Sequence, residues 1–326
     1  MNDLERRYLR LLHAYPADYR RARGAEIVGT YLDLADPHRR WPTPADAADL
    51  VRGGLRQRVR ASGATDLVPG VRLAAALALL AATSLAGVWV VLELRPAPIA
   101  GFGEPTVGPF VSLGIVAWTA WGLAALVHAL APGRWARRAG ALALLLTAAL
   151  VPAAALTGLP RPPLFVLLPQ IGLGLVALGA ADGLPASLRA VPLIAAGGAG
   201  LLGATLWSPN VFASSYYTWT VVPVLPSAAV VVLGVAVLLG MGLALRGDLR
   251  GGWAFLIMLT PVGLLALQPL AGALDTMPAE VVPRWTALAA TTVLVALVGP
   301  ALLPLTLAVR SRWTRVTRPQ PGHLPR

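Results

Sequence analysis

From Leu73 onward the chain is built of long apolar stretches, and none of them contains Asp, Glu or Arg. No other feature narrows the fold as far. In lipid every backbone N–H and C=O must find a partner inside the protein, so an apolar segment of about 20 residues crosses a hydrocarbon core as a helix. The stretches read as spans at 73–92, 107–130, 139–159, 164–181, 190–207, 220–245, 253–274 and 285–309. The expected fold class is therefore all-α, a polytopic transmembrane bundle of about eight helices. The two shortest segments, 164–181 and 190–207, flank Asp182 and Arg189 and are readable as two full spans or as a re-entrant pair.

Composition points the same way. Of 326 residues 56% are hydrophobic and 13% charged, and the mean hydropathy is +0.68. Soluble domains carry about 25% charged residues. Nine of the 15 acids and thirteen of the 27 basic residues precede Leu73. A small polar segment is thus joined to a long apolar one. The start, Met1 to Arg10, is charged and has no apolar core, so targeting is expected to fall on the first span.

The loops predict orientation. All basic residues are arginine, and in the eight-span reading only Arg95, Arg161 and Arg284 lie on the side opposite the termini. Basic residues near span ends mark the cytoplasmic side. Both termini are therefore expected in the cytoplasm of a cell-membrane protein, with 310–326 as a basic tail. Aromatics sit where an interfacial belt wants them: Trp135, Trp253 and Trp313 inside, Trp207, Tyr216, Tyr217, Trp219 and Trp285 outside. The Tyr216, Tyr217 and Trp219 cluster suits an interface anchor; an outer ligand pocket is the alternative. The glycine-rich stretch Gly197–Gly203 favours close helix packing.

Residues 1–62 read as a cytoplasmic module of three short helices, followed by a link at 63–72. Asn2 and Glu5 resemble a capping box, and Tyr8, Leu11, Leu12 and Tyr15 recur at helical spacing before Pro16. Asp18 is a candidate cap for the second helix, which carries Tyr19. Thr43 is placed as N-cap of the third, with Pro44 at its first position and Asp46 at its third. So small a unit has little core of its own, so Tyr8, Leu11, Leu12, Tyr15 and Tyr19 are candidate residues of a partner-contact module. The partner would be a cytoplasmic regulatory protein, the bilayer, or a second copy in a homo-oligomer.

Recognisable chemistry is missing from the sequence. His13, His38, His128 and His323 are dispersed, so no metal site is expected. Without lysine no phosphate-binding Walker loop is possible, and no serine stands in a nucleophile elbow. Without cysteine there is no thiol catalysis or disulfide. No catalytic residue, cofactor or metal is assigned. His128 reads as interfacial, Gln170 and Gln268 as residues bonded to neighbouring helices, and Glu93, Glu104, Asp275 and Glu280 as dispersed acids. The first 72 residues carry a small positive excess spread over all three helices, so no nucleic-acid binding is expected.

The run Leu11-Leu12-His13-Ala14-Tyr15-Pro16-Ala17-Asp18-Tyr19-Arg20-Arg21-Ala22-Arg23-Gly24-Ala25-Glu26-Ile27 resembles the N-terminal helical segment of actinobacterial polytopic membrane proteins. That segment is similar to HAAS-type signalling and permease-prefix modules. The resemblance covers about residues 4–60 and implies a helical prefix, often encoded beside PadR-type transcription regulators, with no catalytic residues to carry over. The expected function is regulatory or sensory and non-enzymatic. A permease component moving an apolar or amphipathic substrate is the alternative.

Overall fold

Thr43, Pro44 and Asp46 start the third helix in the manner their order predicts. The Asp46 amide donates to Thr43 Oγ1 at 3.0 Å, and the Thr43 amide donates to Asp46 Oδ2 at 3.2 Å. Each residue thus satisfies an amide that a helix start leaves without a carbonyl. The computed structural model describes residues 3–36, 39–61, 67–94, 107–180, 186–206, 216, 223–246, 248–275 and 283–316.

The first compact unit comprises Met1–Leu67 and Pro304–Arg326. Its helices are α1 (Asp3–Leu11), α2 (Ala17–Asp33) and α3 (Pro44–Ala61), with a 3-10 turn at Leu12–Ala14. Leu4, Tyr8, Leu12, Tyr15, Val28 and Leu50 form a buried cluster, with Leu11 and Tyr19 packed against it. Tyr8, Leu12 and Tyr15 therefore build the unit from within. The Tyr8 hydroxyl donates to Asp46 at 3.1 Å, and the Tyr31 hydroxyl to Asp49 at 2.6 Å. Pro16, not Asp18, occupies the N-cap of α2. Asp18 lies in the first turn and pairs with Arg21 at 2.5 Å. Asn2 and His38 fall outside the described residues.

The second unit, Val68–Leu303, is helical throughout its described elements. It contains α4 (Leu67–Glu93), α5 (Gly114–Leu130), α6 (Arg134–Thr157), α7 (Leu164–Ala177), α8 (Val191–Leu206), α9 (Val224–Ala244), α10 (Arg250–Leu265), α11 (Leu267–Leu274) and most of α12 (Trp285–Val316). The link expected at 63–72 is shorter in the structure, because α4 starts at Leu67; Pro69 sits in its first turn, where a missing N–H costs nothing. Trp89, Trp118, Trp121, Leu167, Leu173 and Met258 lie in the core.

Four helices among the described residues are long and apolar enough to cross a membrane: Leu67–Glu93, Arg134–Thr157, Ala186–Thr205 and Val224–Ala244. A fifth is counted if Arg250–Leu265 and Leu267–Leu274, bent by 63°, form one span. Shorter apolar helices occupy Gly114–Leu130 and Leu164–Ala177, whereas α12 runs from Trp285 to Val316. The late start of α5 and the bend before α11 each have a local cause. Residues 107–113 turn back on themselves, with an isolated bridge between Val107 and Phe110 and Gly108 at φ 59°. The helix expected from 107 thus begins only at Gly114. Pro269, third in α11, has no N–H to continue the ladder from α10, and the chain bends just before it.

Packing in this unit includes a close backbone approach where α4 crosses α8. A Cβ on Gly87 would collide with the backbone carbonyl of Ala196, and one on Gly200 would come within 3.1 Å of the Gly87 carbonyl oxygen. Only glycine at 87 lets α4 and α8 meet this closely. Gly197 and Gly198, in the same glycine-rich stretch, face open space. The expected close packing therefore falls on one face of α8. The Thr83 hydroxyl lies 3.2 Å from the Pro192 carbonyl at this crossing, and Gln170 donates to the Ala82 carbonyl at 3.0 Å.

Candidate functional site: a buried carboxylate at the end of α4

Glu93 is the last residue of α4 and is wholly buried. It is tied into the fold from two directions. The 107–113 segment folds back over the helix end, and the Val111 amide donates to the Glu93 carbonyl at 3.3 Å. The Ser112 amide donates to Glu93 Oε2 at 2.7 Å, and the Ser112 hydroxyl to Oε1 at 2.6 Å. From far along the chain, the Tyr216 hydroxyl bonds to the same Oε1.

The direction of these bonds follows from the second ring of contacts. The Ser112 hydroxyl oxygen accepts from the Gly114 amide at 3.0 Å, and the Tyr216 oxygen accepts from Trp118 Nε1 at 3.0 Å. With an N–H on each oxygen, both hydroxyl protons are aimed at Glu93. The carboxylate so accepts three hydrogen bonds, most of its acceptor capacity. Charge-assisted bonds of this kind are the strong ones, and they offset the cost of burying the group. The groups bonded to it include no arginine or histidine among the described residues. Burial, and then the Glu93 carboxylate beside it, push the Tyr216 hydroxyl well above its ordinary range. Tyr216 therefore stays protonated and donates.

Aromatic rings close the cluster. Trp89, one helical turn before Glu93, has its ring 5.6 Å from that of Tyr216 and 6.5 Å from that of Trp118. Its Nε1 is buried without a hydrogen-bond partner among the described residues. Gly114 is required by the crowding: a Cβ there would stand 2.5 Å from Glu93 Oε1, 2.6 Å from Pro162 Cγ and 2.8 Å from Trp118 Nε1. The Leu113 amide adds a bond to the Pro160 carbonyl at 3.0 Å. Chemically, the Glu93 carboxyl group joins the end of α4, the segment leading into α5 and Tyr216. It is a proton-sensitive joint.

The structure departs from the sequence expectation at several residues. Glu93 is not one of a set of dispersed acids; it organises a buried network. Tyr216 is buried, with its ring packed on Trp89 and its hydroxyl bonded to Glu93. Tyr217 and Trp219 lie outside the described residues. His128, in the last turn of α5, is buried within the protein. Trp253, expected in the aromatic belt, is buried beside Gly70, whereas Trp135 and Trp285 are exposed. The signal in the sequence was a lone acid ending an apolar stretch with a tryptophan four residues earlier. It does not name the partners.

Among the described residues no group of three or more metal-ligating side chains gathers. Comparison with known protein families, with curated proteins and with solved structures finds no match.

Proposed function

We propose that this chain is a non-enzymatic, multi-pass protein of the cell membrane with a regulatory or sensory role. In this reading it crosses the membrane about eight times, keeps both termini in the cytoplasm, and acts through residues 1–62 on a cytoplasmic regulatory protein. One observation carries it. The helix that follows the N-terminal helices in the chain, α4, runs unbroken from Leu67 to Glu93 and ends in a buried joint whose bonds depend on one proton. By the arginine distribution that joint belongs to the outer side. A change there has a rigid element through which to reach the cytoplasmic end.

The test is co-purification of a transcription regulator with the full-length protein. Deleting residues 1–62 should abolish it and leave membrane insertion unchanged. Glu93→Leu should change the amount captured with residues 1–62 intact. Capture indifferent to both changes would refute the reading.

A second reading has an observation of its own. A cavity of about 290 Å³ lies between α4, α8 and α9, lined by Leu77, Ser84, Val88, Ala199, Val224 and Val232 among others. Such a lining suits the apolar or amphipathic substrate of a transporter. Substrate flux into vesicles that is blocked by Ser84→Phe, with no regulator bound, would favour this alternative.

A further inference from the structure

The arginine-rich end of the second unit holds a second arrangement, independent of Glu93. The end of α5, the start of α6 and the end of α7 surround a crevice of about 20 Å³ lined by His128, Ala136, Arg137, Gly140, Gly174 and Ala177 among others. That space admits one small polar group. His128 is 4% exposed, and its Nε2 has no hydrogen-bond partner among the described residues. Arg189, which follows the 3-10 turn before α8, is within electrostatic reach of His128, and its Nε is also shielded without a partner. A buried polar nitrogen without a partner costs about 1–3 kcal/mol, so His128 Nε2, on the wall of the crevice, calls for an occupant.

The surroundings specify its charge. The crevice lies at the start of α6, whose first amides have no carbonyl ahead of them and whose N-cap, Gly133, makes no side-chain bond. The helix dipole makes this end positive. Arg134 and Arg138 add their charge here, their guanidinium carbons 5.5 Å and 5.1 Å from the ring of Trp135. Trp135 is 51% exposed, as an anchor in the headgroup layer would be. The residues from Ala131 to Arg138 include no acid, and the loop after α7 contributes Asp182 alone.

We propose that this crevice binds the phosphate of an anionic phospholipid. One phosphoryl oxygen enters it and accepts from His128 Nε2, while Arg189 and Arg137 face the charge. The small volume excludes an acyl chain, and the position beside Trp135 puts the ligand where headgroups are. The inference rests on the membrane reading given above. It would make the bundle's stability depend on lipid charge.

The experiment uses the full-length protein in detergent, with the thermal unfolding midpoint followed as phosphatidylglycerol, phosphatidylcholine or inorganic phosphate is added. Phosphatidylglycerol should raise the midpoint saturably, and the other two should not. Arg189→Gln and His128→Leu should each weaken the apparent affinity by about tenfold, and Arg246→Gln should leave it unchanged. Equal effects of both lipids, or equal weakening by Arg246→Gln, would overturn the site in favour of diffuse attraction. An equal effect of inorganic phosphate would overturn the lipid assignment. Where a variant does not fold, native mass spectrometry of lipid retained by the wild type decides, and retention without preference for the anionic lipid overturns the proposal. A reporter fusion after Arg138 tests the leaflet separately, so an inverted topology and an empty crevice give different results.

Discussion

The hydroxyl of Tyr216 donates to the carboxylate of Glu93 across 123 positions of chain, while accepting from Trp118 Nε1. That one phenol joins a distant segment to the ends of α4 and α5, and its removal is the most direct probe of the joint. Tyr216→Phe leaves the Trp118 N–H without its acceptor and Glu93 with one donor fewer. A loss of about 1–3 kcal/mol is expected, read as a lower unfolding midpoint in detergent. Glu93→Gln should destabilise as well, because an amide nitrogen would meet Ser112 or Tyr216 donor to donor. An unchanged midpoint for Glu93→Gln would mean that Glu93 carries a proton, and the polarised network would be wrong.

The crossing of α4 and α8 gives a paired comparison. Gly87→Ala forces a methyl group against the Ala196 carbonyl, a backbone atom that cannot step aside. Overpacking of this kind costs about 1–3 kcal/mol. Gly197→Ala meets nothing within 4 Å and should be neutral or stabilising by up to about 1 kcal/mol, since alanine favours helix. Equal effects at the two positions would show that the helices do not cross here.

In the first unit Tyr31 should titrate anomalously. Its hydrogen bond to Asp49, then its burial, raise its hydroxyl above the ordinary tyrosine range. Because the folded value is raised, the stabilisation is fully present below about pH 10, the unfolded value, and fades as pH rises through the folded one. Asp49→Asn should bring one tyrosine back toward the ordinary range in a tyrosinate absorbance titration. A curve that does not move would refute the Tyr31–Asp49 bond.

Topology is tested by reporter fusions. Fusions after Arg138, Asp248 and Arg318 should report cytoplasm, and fusions near Pro98, Ser214 and Met277 the opposite side. A cytoplasmic signal at Ser214 would mean that 164–207 does not cross twice, and the eight-span reading would fail.

Local signals in the chain were legible where one short segment contained both cause and effect. Thr43 and Asp46 are three residues apart, so their reciprocal cap could be read from their order. Asp18 shows the limit even at short range: a good capping residue was displaced because Pro16 turned the chain one step earlier. The glycine-rich stretch of α8 was legible as a packing element, but which glycines touch depended on where α4 lay.

The sequence by itself determined that this chain is helical and apolar enough for a membrane, because those properties follow from backbone hydrogen bonding and from the length of uncharged segments. The tertiary structure alone decided which polar groups matter. Glu93, the stretch from Ser112 to Trp118, and Tyr216 lie in three separate parts of the chain, and the local signal at Glu93 does not name its partners. Burial made the difference. A carboxylate removed from water must gather donors wherever the fold can supply them, and that supply exists only once the helices have packed.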